Sequence, residues 1–144
     1  MLLSLNWLKE YVKFTQTPEQ VADILTQGGF EVEEIIRYGD DFDKVVIGQI
    51  KTIVNHAEAN KLSVCKVDVS KKQLLKIVCG AKNIKPGQRV AVAIVGAKLP
   101  NGLTIERRRI RGIDSEGMIC AEDELGLGED PRGIMILDDK LRIG

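Results

Sequence analysis

From residue 44 onward the apolar residues fall in short, β-branched runs broken by glycine and proline, a rhythm that suits strands and turns. "KVVIGQIKTIV", "KLSVCKVDV", "QLLKIVC" and "RVAVAIV" read as four strands. "LTIERRRIRG" continues the pattern, and "GIMILDD" supplies a last short one. In "KLSVCKVDV", Ser63, Cys65, Val67 and Val69 share one face, and Leu62, Val64, Lys66 and Asp68 share the other. The breaks are Ser70-Lys71-Lys72, Pro86-Gly87 and Pro100-Asn101-Gly102, with "EDELGLG" suited to one helical turn. Roughly five short strands joined by glycine-rich turns predict a small closed barrel or a sandwich.

The first 40 residues follow different rules. Ser4 can cap a helix carrying Leu8, Tyr11 and Val12 at helical spacing. Thr17-Pro18-Glu19-Gln20 is a capping box with proline at the first helical position. Val21, Ile24 and Leu25 then make one apolar face, and Gly28 supplies the stop. "FEVEEII" partly alternates and predicts a strand. A piece this small cannot bury a core of its own. The polar break "YGDDFD" divides the chain into a helical amino-terminal piece, 1–40, and a barrel, 41–144. The expected class is mainly β with a small α/β amino-terminal piece.

A net charge of zero conceals a pattern. Residues 1–43 carry 3 Lys/Arg against 9 Asp/Glu, residues 44–112 carry 15 against 3, and residues 113–144 carry 3 against 9. A central block this basic either faces a polyanion or is neutralised by its acidic flanks within the fold. A barrel with a basic face points to the OB-fold, whose strands and loops commonly bind oligonucleotides.

Other classes find little support. No apolar run reaches membrane-spanning length, and Lys9 and Glu10 interrupt an opening that lacks a signal-peptide cleavage site. Cys65, Cys79 and Cys120 are odd in number and widely spaced, which predicts free thiols in a reducing compartment. A single histidine with scattered cysteines makes a poor zinc site. Glu122, Asp123 and Glu124 are consecutive, so on a helical turn they point apart and form a solvated face. No catalytic residue and no metal ligand is expected.

The candidate residues lie in the loops. His56, the sole histidine, lacks a nucleophile with a third orienting group, which leaves a loop role: a backbone hydrogen bond or a ligand contact. Lys61 closes the same loop and is either solvated or a point charge for a phosphate. Asn83, between Lys82 and Lys85, either satisfies its own turn or reads a base edge. Arg107, Arg109 and Arg111 fall on one side of a strand, with Arg108 and Ile110 on the other; they suit a phosphate backbone or protect an edge strand. Gly117 predicts a sharp bend or bulge. Met118 is either core filler or, beside Ser115, an apolar platform for an unstacked base.

"HAEANKLSVCKVDV", "IVCGAKNIKPGQRVAVA", "GAKLPNG" and "RGIDSEGMICAEDELGLG" resemble, in order and spacing, the tRNA-binding OB-fold module. That module occurs alone, at the end of some methionyl-tRNA synthetases, and inside bacterial phenylalanyl-tRNA synthetase β subunits. "MLLSLNWLKEYV" and "TPEQVADILTQGGFEVE" are similar to the amino terminus of that β subunit. The resemblance implies a five-stranded OB-fold barrel inserted in a small domain that later chain completes. It places tRNA contacts on Lys61, Asn83, Ser115, Glu116 and Met118, to which the basic strand adds Arg107, Arg109 and Arg111. Ala57, Asn60, Lys82 and Ala121 depart from residues the family often has, and the first three soften the loops that would face RNA.

The resemblance further implies a cytoplasmic ligase joining phenylalanine to tRNA, with a catalytic α subunit in an α2β2 assembly. ATP and Mg2+ would serve the whole enzyme, and no cofactor is expected in this segment. The rival expectations are a structural or protein-docking module and a free-standing tRNA-binding protein.

Overall fold

Both helices begin where a hydroxyl can satisfy an orphan amide. In the computed structural model, which describes residues 1–37, 39 and 42–144, α1 spans Leu5–Tyr11 and α2 spans Pro18–Gln27. Ser4 Oγ accepts from the Trp7 amide at 3.3 Å. Thr17 and Gln20 form the reciprocal capping box, at 3.3 and 3.0 Å, and Gly28 ends the helix. "FEVEEII" is not a strand: residues 30–36 take no regular structure and have no ladder to join. Neither helix buries a residue, and Trp7, Tyr11, Ile24 and Phe30 remain exposed.

The chain divides into two units, Met1–Tyr38 and Gly39–Gly144. The boundary expected in "YGDDFD" involves Tyr38, Asp40 and Asp41, which lie outside the described residues.

The second unit is a nearly closed antiparallel barrel. Its strands are β1 (Asp43–Asn55), β2 (Ser63–Asp68), β3 (Leu75–Cys79), β4 (Arg89–Lys98), β5 (Arg108–Ile110), β6 (Ile113–Ser115), β7 (Gly117–Ile119) and β8 (Ile136–Leu137). The main sheet runs β3-β2-β1-β4-β7, five strands in line, with β8 added to β4 and β5–β6 as a separate hairpin. Closure comes where the chain passes from β6 to β7. The Glu116 amide donates to Lys76 O at 2.8 Å, and Glu116 Oε2 accepts from the Lys76 amide at 3.1 Å. Ser115 Oγ accepts from the Val78 amide at 3.1 Å and donates to Gly117 O at 3.0 Å.

Alternation decides what fills the barrel. Cys65, Val67, Ile77, Val90 and Val92 point inward with Ile50 and Ile119. The opposite face of β4 is also covered: Ala91, Ala93 and Ala97 pack beneath Leu99, Ile105, Cys120 and Leu125. A strand buried on both faces explains the unbroken apolar run of "RVAVAIV", and its small alanines let the following chain lie close.

Three further sequence expectations need correction. "EDELGLG" is a set of turns, in which the Leu125 amide reaches Glu122 O at 3.2 Å, because its glycines break the helix. Of "GIMILDD", only Ile136 and Leu137 pair. The single arginine stripe is broken: only Arg108–Ile110 is strand, Arg107 precedes it, and Arg111 is in the turn.

Candidate functional site

Residues 56–62, between β1 and β2, form a loop tied to itself and to the β5–β6 hairpin. The His56 amide donates to Leu62 O at 3.0 Å, closing the loop. His56 is 4% exposed; its Nδ1 accepts from the Glu58 amide at 3.1 Å, and its Nε2 lies 3.3 Å from Ile110 O. These partners assign Nδ1 as acceptor and Nε2–H as donor. His56 thus fixes the arginine-bearing hairpin beside the loop that ends in exposed Lys61.

The hairpin pairs Arg108 with Ser115, Arg109 with Asp114 and Ile110 with Ile113. Its two turn residues, Arg111 and Gly112, have φ of 47° and 82°, as a tight primed turn requires. Arg108, Arg109 and Arg111 are exposed. Arg107 instead donates to Glu116 Oε1 at 2.9 Å. Glu116 thereby links an arginine to the Lys76 backbone at the barrel seam.

Asn83 is a clasp. Its Nδ2 donates to Ile134 O and its Oδ1 accepts from the Ile134 amide, both at 3.0 Å, which joins the loop after β3 to the carboxy-terminal strap. The neighbouring Gly133 has no room for a side chain, since a Cβ there would sit 2.6 Å from Asn83 Oδ1. Ser115, 3% exposed, has its hydroxyl engaged as both donor and acceptor in the seam. Met118 is half-buried against the cluster around Ala91 and Ala93.

The structure therefore brings Lys61 and the Arg108–Arg111 hairpin together as exposed cations. Asn83, Ser115 and Glu116 instead hold backbone, Asn83 at the carboxy-terminal strap and Ser115 and Glu116 at the barrel seam. Within the second unit, ion pairs between the basic block and the acidic residues are few. Within residues 42–144, among the described residues, only Lys51 and Arg107 of the central cations meet a carboxylate, Asp68 at 3.5 Å and Glu116 at 2.9 Å. Of the acidic carboxy-terminal block, Asp130 pairs locally with Arg132, which holds its carboxyl down to about 2.

The thiols offer no chemistry. Cys65, Cys79 and Cys120 are free and buried. Burial, joined by the charge of Cys79, pushes Cys65 up to about 11. Burial pushes Cys120 up to about 12 and also raises Cys79. Among the described residues no cluster of three or more His, Cys, Asp and Glu could hold a metal, and no helix is long and apolar enough to cross a membrane.

The His56–Ile110 link escaped the sequence reading, because it depends on where the β5–β6 hairpin closes.

Comparison with known proteins gives a consistent picture. Residues 45–144 match the family model described as "Putative tRNA binding domain". The phenylalanine–tRNA ligase β subunit of Nitratidesulfovibrio vulgaris is 53% identical over 144 residues, all of this chain and 18% of that one. The β subunit of Syntrophus aciditrophicus is 47% identical with the same coverage. That of Oleidesulfovibrio alaskensis is 50% identical over 137 residues, 95% of this chain and 17% of that one. The chain thus spans less than a fifth of these curated relatives.

Two solved structures share the fold. The MetRS-related protein of Pyrococcus horikoshii has a TM-score of 0.52 at 18% identity, covering 77% of this chain and 95% of that one. The carboxy-terminal domain of Plasmodium vivax p43 has a TM-score of 0.51 at 19% identity, covering 69% and 56%.

Proposed function

This chain belongs to the tRNA-binding domain family, and from that premise we propose that it is a segment of a phenylalanine–tRNA ligase β subunit whose barrel holds tRNA. The observation that carries the reading is the exposed cationic end of the barrel. Lys61, Arg109 and Arg111 are exposed, lack a salt bridge among the described residues, and are held in one place by His56.

Such a surface suits ribose-phosphate and reads shape and backbone rather than sequence. Lys61 contributes a point charge, and the arginines contribute planar donors that fit phosphate oxygens. Arg107, bonded to Glu116, adds an exposed guanidinium at the barrel seam. Asn83 and Ser115 act through the backbone they hold, and Met118 supports the strand beneath. Aromatic residues make up only 4% of the chain, so base stacking on aromatic rings contributes little.

The whole ligase would join phenylalanine to its tRNA in the cytoplasm, with a catalytic α subunit in an α2β2 assembly. ATP and Mg2+ belong to that reaction. We assign that chemistry to chain outside this segment. We further propose that residues 1–40 form part of a small domain completed by chain outside this segment.

The direct test is charge reversal. Arg109→Glu with Arg111→Glu should weaken tRNA binding at least tenfold at moderate salt while leaving the circular dichroism spectrum unchanged. Unaltered affinity would remove the hairpin from the site.

A further inference from the structure

A single asparagine of the chain is followed by glycine, and that pair, Asn101-Gly102, lies in the turn between β4 and β5. Pro100, Asn101 and Gly102 are all exposed, and a Cβ added at Gly102 would meet nothing within 4 Å. The Gly102 nitrogen therefore has no side chain over it and room for a new ring beside it.

The hydrogen bonds of the turn set up an attack of that nitrogen on the Asn101 side chain. Asn101 Oδ1 accepts from the Leu103 amide at 3.0 Å, which curls the side-chain amide back along the chain. The loop closed by this bond contains both Asn101 Cγ and the Gly102 nitrogen. The Leu103 N–H also donates to the oxygen that becomes negative when Cγ is attacked, the placement an oxyanion donor requires. The Gly102 amide is held by one bond, to Leu99 O at 2.9 Å, which local opening of an exposed turn releases.

The other asparagines lack this combination. Asn83 has both amide atoms bonded to the Ile134 backbone, and the β-branched Ile84 follows it. Asn55 is in the β1–β2 ladder opposite Ser63, and Asn6 is in α1. Asn60 is exposed, but it precedes Lys61, whose side chain crowds the attacking nitrogen.

We propose that Asn101 is a modification site, at which the folded chain deamidates without an enzyme through a succinimide. The Gly102 nitrogen gives its proton to hydroxide and attacks Asn101 Cγ. A C–N bond forms, the Cγ–Nδ2 bond breaks, and the nitrogen leaves as ammonia with a proton from water, which regenerates the hydroxide. Water then opens the five-membered ring. Opening at Cγ gives aspartate, and opening at the main-chain carbonyl gives isoaspartate. Water enters and ammonia departs, with no oxidant or reductant. The chemistry is independent of what the barrel binds.

The products change the turn. Both add a negative charge, and isoaspartate adds one carbon to the main chain. The turn is closed by the Leu99 amide on Leu103 O at 2.9 Å, and Leu99, 4% exposed, packs with Ile105 and Leu125. A longer main chain loosens that anchor.

The test incubates the 144-residue chain in mildly alkaline buffer beside a synthetic peptide of residues 97–106, until the peptide has converted fully. Fragments of the chain are weighed by mass spectrometry, and isoaspartate is labelled with an isoaspartyl methyltransferase. Asn101 should convert ahead of Asn60, with isoaspartate among its products, and the isoaspartate form should melt below the parent. Gly102→Ala, which crowds the nitrogen, and Asn101→Gln, which would need a six-membered ring, should each slow conversion at least tenfold. The glutamine variant keeps Gly102 at its φ of 84°, so it serves even if alanine disturbs the turn.

An intact Asn101 at that point means that the fold withholds the Gly102 amide, and overturns the site. Conversion of Asn60 first, or a glutamine variant that reacts as fast as the parent, overturns it equally. Conversion to aspartate alone overturns the succinimide route. An isoaspartate form that melts with the parent overturns the coupling to the Leu99 anchor.

Discussion

His56 and Ile110, 54 residues apart, are joined by a hydrogen bond of 3.3 Å from the imidazole Nε2–H to the main-chain carbonyl. The same ring accepts the Glu58 amide through Nδ1 at 3.1 Å. One nearly buried side chain therefore sets both the shape of the Lys61 loop and the position of the arginine hairpin. His56→Ala should cost about 1–3 kcal/mol in urea denaturation, since it orphans a donor and an acceptor. His56→Gln, able to reach Ile110, and His56→Asn, able to reach Glu58, should each recover part of that loss. Full stability in the alanine variant would show that the ring fixes neither segment.

Asn83 offers a nearly isosteric test. Asn83→Asp keeps the shape but replaces the donor to Ile134 O with a charged oxygen, while the Ile134 amide keeps its acceptor. The expected cost is about 1–3 kcal/mol, read from the chemical denaturation midpoint. An unchanged midpoint would mean that the strap is held without the clasp.

Gly117 marks the switch of the chain from the β3 seam to β4. An added Cβ would lie 2.8 Å from Ala93 O, a backbone atom inside the sheet. Gly117→Ala should lower stability by about 1–3 kcal/mol through overpacking. Gly80→Ala is the control, because its nearest neighbour, a Leu62 methyl, is at 3.5 Å. Equal melting temperatures for the two variants would contradict the close approach.

The buried thiols predict an alkaline limit. Cys65 and Cys120 release protons only near 11 and 12, above the value of 9.0 for an ordinary thiol. The unfolded chain therefore gives up these protons first. Their stabilisation is complete below about pH 9 and is lost as pH rises toward 12. Replacing both by alanine should flatten the decline in stability between pH 8 and pH 10.5. An identical decline in the variant would assign the limit to other groups.

Local chemistry made part of this fold legible. Thr17, Pro18 and Gln20 specify a helix start without reference to the rest of the chain, and the alternation around Cys65 and Val67 specifies which face is inside. What stayed hidden depends on register and closure. Arg107, Arg109 and Arg111 alternate in sequence, but the turn at Arg111 and Gly112 ends the strand and sends them to different environments. "FEVEEII" has strand composition and, among the described residues, no partner strand, so composition alone could not decide it.

The candidate site divides along the same line. Lys61 could be recognised as a loop cation from its neighbours. The bracing roles of Ser115, Glu116 and Asn83 arise from contacts with Val78, Lys76 and Ile134, each 37 to 51 residues away.

The central claim is that the barrel leaves its cationic face open to ribose-phosphate, and the salt dependence of tRNA binding tests it most directly. With roughly three to five phosphate contacts, log affinity should fall against log salt with a slope of about −2 to −4.5. Weak binding with a slope near zero would contradict the claim, and would leave the barrel a structural or docking module.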